Sequence, residues 1–386
     1  GATRFGRGRR AGIIVLLVAV SASGIVAGGM VRRAIEGPDD GLRIEPWLEE
    51  RRIGFPFDLT GMLVEREDIR MGGPPKDGIP SIDAPRIVEL DAALAEGIVG
   101  IDRVVTVTIE GRRRVYPIRL LRWHEIVNDT LAGVPISVIY CPLCDSVSVV
   151  ERDHDGPGGD PPDTFGVSGQ LLDSNVLVYD RSADGLWSQV EGRSISGRRV
   201  GRTFDHLDGW AIETLEDVRR HAAEDGVPTT IVAFPEPRER PYTVDPYEQY
   251  PTSPHLRFPI RRLDERLPPK VPVVGVRSGD VARAWDLRAV ADRAGADGRY
   301  RETLGGNAGE VVLAVERGGD GAIRRVEIVS VPEDAIVMHT YWFAWASAHP
   351  GTTLLTDADR AAVDPPDVGA TGDAGDASGI GGASGI

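Results

Sequence analysis

The chain has 386 residues and two cysteines, and both fall in one short stretch, Tyr140-Cys141-Pro142-Leu143-Cys144. Two intervening residues let both sulfurs face a common point. Three chemistries use such a pair: a redox-active dithiol, half of a metal site, or a disulfide that staples a turn. A disulfide across so short a loop gains little from chain entropy and is often strained and reducible, which favours the two functional readings together. In the dithiol reading one cysteine attacks as thiolate, the other resolves, and His124 assists proton transfer. In the metal reading Cys141, Cys144 and His124, with His339 and His349 as further ligands, would hold zinc, copper or iron. The third reading is a non-catalytic envelope module with a structural disulfide.

A second set of side chains could bind substrate. Ser168, Asn175, Asp180, Arg181, Trp187 and Gln189 form a polar cluster between short strands. Arg181 would clamp an anion and Trp187 would wall a pocket, although Tyr179-Asp180-Arg181 also reads as an ion pair holding a turn. Asn128, four residues beyond His124, would share its helix face and fix its tautomer. The run Tyr341-Trp342-Phe343-Ala344-Trp345 reads as a core helix. No G-x-S-x-G, Walker or H-E-x-x-H pattern is present.

The elements that must carry these residues are mostly strands. Residues 104–109 and 113–118 alternate β-branched positions around a turn at Gly111, which predicts a hairpin. Leu120, Trp123, His124 and Val127 follow the spacing of a short amphipathic helix. Residues 134–140 form a β-branched strand that runs into Cys141, and 147–150 resume extended character. The cysteines therefore sit in a tight connection between strands. A thioredoxin fold, in which the first cysteine opens a helix, is disfavoured, and a single C-x-x-C makes no two-knuckle zinc ribbon. Val115-Tyr116-Pro117-Ile118-Arg119-Leu120-Leu121 lines up with Ala284-Trp285-Asp286-Leu287-Arg288-Ala289-Val290, each ahead of another apolar strand. The expectation is a β-rich α+β fold of short, mostly antiparallel strands and a few short helices, in two related halves.

Composition sets the context. A net charge of −15 and only two lysines, Lys76 and Lys270, argue against a nucleic-acid surface. Arg4, Arg7, Arg9 and Arg10 precede an uncharged run over 11–31. About 20 such residues are enough for a bilayer-spanning helix. The flanking arginines predict the N-terminus inside and the remainder extracytoplasmic, as a single-pass membrane protein. A cleaved signal and a secreted product are the alternative. The expected organisation is 1–31 anchor, 32–50 linker, 51–262 first half with the cysteines, 263–364 cysteine-free second half, and 365–386 disordered tail. The expected partners are the membrane, a redox partner protein and a small-molecule substrate.

At these residues the chain resembles a known family. Trp123-His124-Glu125-Ile126-Val127-Asn128-Asp129, the Tyr140-to-Cys144 motif, Phe165-Gly166-Val167-Ser168-Gly169, Ser174-Asn175, Tyr179-Asp180-Arg181 and Trp187-Ser188-Gln189 are similar, in order and spacing, to the signature of the DUF3179 proteins. Asp245-Pro246-Tyr247, Phe343-Ala344-Trp345 and His349-Pro350 extend the likeness over roughly 75–356. Some members carry selenocysteine in place of a cysteine of the pair. The resemblance thus implies redox chemistry, since a selenol is the better nucleophile and leaving group. One departure stands out: Asp145 follows Cys144 where the family usually has glycine.

Overall fold

The structure is a computed structural model that describes residues 56–152, 163–238, 240–305 and 309–356. The expected anchor, linker and C-terminal tail lie outside the described residues. Among the described residues no helix is long and apolar enough to cross a membrane.

In chain order the strands are β1 (Arg70–Met71), β2 (Ile87–Glu89), β3 (Arg103–Ile109), β4 (Arg112–Pro117), β5 (Ile126–Leu131), β6 (Val134–Cys141), β7 (Ser146–Glu151) and β8 (Phe165–Leu172). There follow β9 (Asn175–Asp180), β10 (Leu186–Ser188), β11 (Arg193–Ser194), β12 (Asp205–His206), β13 (Trp210–Thr214) and β14 (Thr229–Val232). The last are β15 (Pro272–Ser278), β16 (Val281–Asp286), β17 (Arg299–Thr303), β18 (Glu310–Arg317), β19 (Ile323–Ser330), β20 (Ile336–Tyr341) and β21 (Thr353–Leu355). The α-helices are α1 (Ile118–His124), α2 (Leu215–Asp225), α3 (Leu287–Arg293) and α4 (Trp342–Ala348). The protein is a β-rich α+β fold with antiparallel-dominated sheets, as its alternating sequence predicts.

Three sheets stack as layers. One large sheet runs β21-β16-β15-β20-β7-β6-β5, with β12 on β7, and the other runs β17-β18-β19-β13-β3-β4-β14-β2. The third is smaller and runs β1-β8-β9-β10-β11. The period-2 alternation of β6 explains why its sheet is central. Ile136, Val138 and Tyr140 enter the core shared by the two large sheets. Ile139 and Cys141 point the other way, into a second core shared with β8 and β9. A strand buried on both faces reads as a nearly continuous apolar run, and β6 does.

The order of elements recurs. A hairpin (β3–β4), a seven-residue helix (α1), a three-stranded meander (β5–β7), a strand (β13), a helix (α2) and a strand parallel to the hairpin (β14 on β4) make the first series. The hairpin β15–β16, seven-residue α3, meander β17–β19, strand β20, α4 and β21, parallel to β16, repeat it. Each large sheet joins the hairpin of one series to the meander of the other, through β20 beside β7 and β13 beside β19. Strands β8–β11 of the small sheet enter the first series after β7, while its edge strand β1 precedes the series; among the described residues the small sheet has no counterpart in the second.

Two local expectations need correction. The amphipathic stripe placed Val127 on the helix, yet α1 ends at His124 because Glu125 takes φ +57°, a left-handed conformation that breaks the turn. Val127 and Asn128 consequently lie in β5, and Asn128 shares no helix face with His124. The expected core helix in the aromatic run is present as α4, with Trp342, Phe343, Ala344 and Trp345 fully buried.

Candidate functional site

Cys141 ends β6 and Cys144 closes the tight turn into β7, with the Cys144 amide donating to the Cys141 carbonyl at 3.2 Å. Both are free thiols, 1% and 0% exposed. The turn is held from the neighbouring strand: the Tyr341 amide and the Thr340 hydroxyl both donate to the Cys144 carbonyl, and the His339 ring bonds the Asp145 carbonyl at 3.0 Å.

Asp145 explains the departure from the family pattern. Its φ is +46°, a region that glycine occupies freely and other residues occupy at a cost. Here the carboxylate offsets that cost by a two-pronged pair with Arg103 at 3.0 and 3.2 Å and a 3.0 Å bond from the Tyr140 hydroxyl. Burial would raise its pKa, but Arg103 and His339 outweigh burial and hold the carboxyl below its ordinary value.

The β8–β9 hairpin reaches the sulfurs from the small sheet. Its two-residue turn, Asp173-Ser174, has φ +51° and +61°, the double left-handed geometry of a tight hairpin. Neither residue is glycine, so the turn carries about 1–2 kcal/mol of strain per residue. That turn delivers the Ser174 carbonyl to the thiols, 3.2 Å from the Cys144 sulfur and 4.0 Å from that of Cys141. The Ser174 hydroxyl is buried and has no hydrogen-bond partner.

The two sulfurs differ. Burial would raise the Cys141 pKa, but the Cys144 thiol and the backbone amides of Cys144, Val176 and Leu143 converge on it and bring it below its ordinary value. Burial and the neighbouring Cys141 push the Cys144 thiol well above its own. Cys141 is thus the more readily ionised of the pair. The acid electrostatically coupled to it is Glu125, whose carboxyl is driven well above its ordinary value by burial and then by Cys141. The left-handed backbone that ends α1 brings Glu125 to this position, and its carbonyl accepts from the Tyr140 amide on the cysteine strand.

A long segment covers the pair. Between β14 and β15 the described residues form no helix or strand, which in a compact domain marks a functional loop. Tyr250 is 3% exposed in the thiol core, and Tyr247, Leu256, Phe258 and Ile260 pack against it. The Tyr250 hydroxyl is buried and donates to no acceptor; burial and then the neighbouring Cys144 raise its pKa, against the Arg257 amide directed at its oxygen. Two cations pin the cover. Lys270 donates to the carbonyls of Tyr250, Ser253 and His255 at 2.6, 2.7 and 2.9 Å. Arg261 bonds Asp173 in the hairpin turn and Glu191 beyond it.

The sequence-derived candidates fall into three groups. Asn175 and Gln189 belong to the site's floor: with Ser146 they form a buried network of 2.7–3.0 Å bonds, and Gln189 also donates to the Ile139 carbonyl. Trp187 packs in the same core against Phe165 and Phe204, its indole donating to Asp180. The others hold the frame. Ser168 bonds the Leu177 carbonyl within the β8 irregularity, and Asn128 bonds Asp83, Ser137 and both backbone groups of Phe165. Asp180 takes Trp187, the Ala183 amide and Arg199, while Arg181 pairs Asp77 and bonds Ser81 and Tyr179.

His124 is turned elsewhere. Its ring nitrogens bond the Pro80 carbonyl at 2.8 Å and the Tyr242 hydroxyl at 2.7 Å. His349 bonds the Val190 carbonyl, and burial lowers its pKa to about 3. Among the described residues no three His, Cys, Asp or Glu side chains are grouped to hold a metal ion. Sequence reasoning passed over Glu125, Ser174 and Tyr250. The signal for Glu125 was its place in the Trp-His-Glu run, where histidine drew attention as the usual base.

This arrangement defines a layered β-protein built around a buried, asymmetric pair of thiols. The chain belongs to the DUF3179 family, a protein family of unknown function, whose match covers residues 76–330. No curated protein and no solved structure matches the chain.

Proposed function

We propose that the protein is a thiol–disulfide redox protein in which Cys141 attacks and Cys144 resolves. The observation that carries this reading is the pair of free, buried thiols meeting at the Ser174 carbonyl, supported by the backbone amides that lower the Cys141 pKa and by its electrostatic coupling to Glu125. The amides favour the thiolate, which is the reactive form. A carboxyl kept neutral by burial supplies the proton a leaving group needs. Glu125 therefore takes the proton-transfer role that sequence spacing suggested for His124. In the reaction the Cys141 thiolate bonds to the oxidant and expels its first leaving group; the Cys144 sulfur then attacks the Cys141 sulfur, and the rest of the oxidant departs with the Cys144 proton. The dithiol gives up two electrons and becomes a disulfide.

The N-terminal apolar run flanked by arginines supports placement outside the cytoplasm on a membrane anchor, where a reversible disulfide is at home. Membrane fractionation and protease protection of whole cells test that placement. The redox reading is tested by equilibrating the protein with thiol buffers of known potential. A reversible two-electron transition above roughly −300 mV, abolished in Cys141→Ser and Cys144→Ser, is expected. A pair that stays reduced, or one locked below that potential, overturns it.

A further inference from the structure

Resting on the dithiol reading, we infer that the oxidant admitted to this site is a small hydroperoxide. The first ground is closure. The sulfurs are 1% and 0% exposed, between two sheets and beneath Tyr250. A disulfide substrate must bring its sulfur in line with Cys141 while carrying substituents on both sides. Leu143, Tyr247, Tyr250 and Tyr341 already occupy the surroundings. A molecule of two oxygens requires only small displacements of those side chains.

The second ground is the unused hydrogen-bonding capacity. Buried polar groups are nearly always satisfied, so each exception asks for an explanation. The Ser174 hydroxyl is buried without a partner, and the Tyr250 hydroxyl is buried with the Arg257 amide directed at its oxygen and its own proton undonated. Ser174 contacts the sulfurs through its own carbonyl, and Tyr250 lies in the same core as both cysteines. Two buried hydroxyls in the thiol core, each with an undonated proton, suit a ligand with two adjacent oxygens and poorly suit a disulfide, which is a weak acceptor. The Glu125 carboxyl completes the set as the acid.

The chemistry balances. The Cys141 thiolate bonds to the terminal peroxide oxygen and the O–O bond breaks. The departing oxygen takes the Glu125 proton and leaves as water or an alcohol, and Cys141 becomes a sulfenic acid. The Cys144 sulfur then bonds to the Cys141 sulfur. Hydroxide leaves, takes the Cys144 proton and departs as water, while Glu125 is reprotonated from solvent. Two electrons pass from the dithiol to the peroxide, and an external thiol reductant restores the pair.

The test uses the reduced full chain, mixed anaerobically with hydrogen peroxide, with cumene hydroperoxide and with oxidised glutathione in separate arms. Thiol loss and tryptophan fluorescence are followed by stopped flow. Peroxide is expected to react faster than oxidised glutathione, with one peroxide consumed per disulfide formed. Cys144→Ser should halt at a sulfenic acid that dimedone traps. Tyr250→Phe and Ser174→Ala should each slow the peroxide step by about a hundredfold, as for loss of a donor to a developing oxyanion, while the reduction potential stays unchanged. Equal or faster reaction with oxidised glutathione overturns the peroxide assignment and leaves the dithiol standing. If neither oxidant yields a disulfide, the dithiol reading itself fails. Rates unaltered in both hydroxyl variants, each folded by circular dichroism, also overturn the assignment.

Discussion

Arg261 grips Asp173 with its backbone amide at 2.7 Å and with two guanidinium nitrogens at 2.9 and 2.6 Å. One residue belongs to the covering segment and the other to the hairpin turn that presents Ser174 to the thiols. The pair therefore fastens the cover to the floor of the site. Asp173 is fully buried, so removing its cation strands a charge, whereas Arg261 is 29% exposed and partly screened by solvent. Arg261→Ala should destabilise the protein by about 2–3 kcal/mol, under the range for a wholly buried pair. It should also accelerate thiol labelling by DTNB in the folded protein. Unchanged labelling would mean that the segment does not limit access.

Glu125 makes a prediction about pH. Its folded pKa lies above its ordinary value of 4.5, chiefly through burial. The neutral form is thus favoured by folding. That contribution is fully present below pH 4.5 and is lost as pH rises through the folded value. Glu125→Gln should flatten this decline and be more stable than the parent at neutral pH, measured by urea denaturation across pH. The same variant should oxidise more slowly. A variant that keeps the parental slope would place the carboxyl in water.

Asp145 behaves in the opposite sense. Its folded pKa lies below 3.8 because Arg103 and His339 outweigh burial. Its contribution is present above that pH and disappears as pH falls through the folded value. Asp145→Gly relieves a left-handed backbone, worth about 1 kcal/mol. It also removes charge-assisted bonds worth roughly 1.5–3 kcal/mol. The net expectation is a modest loss at pH 7 that vanishes in acid, read from denaturation midpoints at the two pH values.

His124 offers a sharp contrast with Glu125. Both ring nitrogens serve the Pro80 carbonyl and the Tyr242 hydroxyl. His124→Ala should cost about 2 kcal/mol or more of stability through the unsatisfied groups left behind. The oxidation rate of the folded variant should change little. A rate loss as large as that of Glu125→Gln would return the proton-transfer role to the histidine.

The β3–β4 hairpin was legible because its alternation has period 2, and the loop position of the cysteines was legible because β-branched runs flank them. The end of α1 was not legible, since the 3.6-residue stripe continues through Val127 by coincidence with the first strand residues of β5. What stops the helix is a single left-handed residue, Glu125, and nothing in a glutamate announces a positive φ. Asn175 and Gln189 read as part of a polar cluster between short strands, and the structure puts them in the buried network with Ser146. Arg181 belongs to the same cluster, and Asn128 is singled out by its spacing from His124; both serve the frame, because residue type and spacing cannot tell a satisfied buried network from an open site. The covering segment has neither periodicity nor regular structure, so Tyr250 could be placed only in three dimensions.

The exchange of strands between the two series also governs the order in which the molecule can be completed. A growing chain that has reached residue 262 holds the β5–β7 meander with β12 on the end of β7 and the start of β7, at Val147, waiting for β20, and it holds β13 waiting for β19. Both open edges belong to buried, apolar strands, the kind that pair with any strand at hand. The nascent protein must be kept from strangers until β19 and β20 emerge, as expected where long-range pairing closes a fold late. A ribosome that stops at residue 262 should deliver an aggregate, and supplying the remaining residues as a separate peptide before collapse should rescue it.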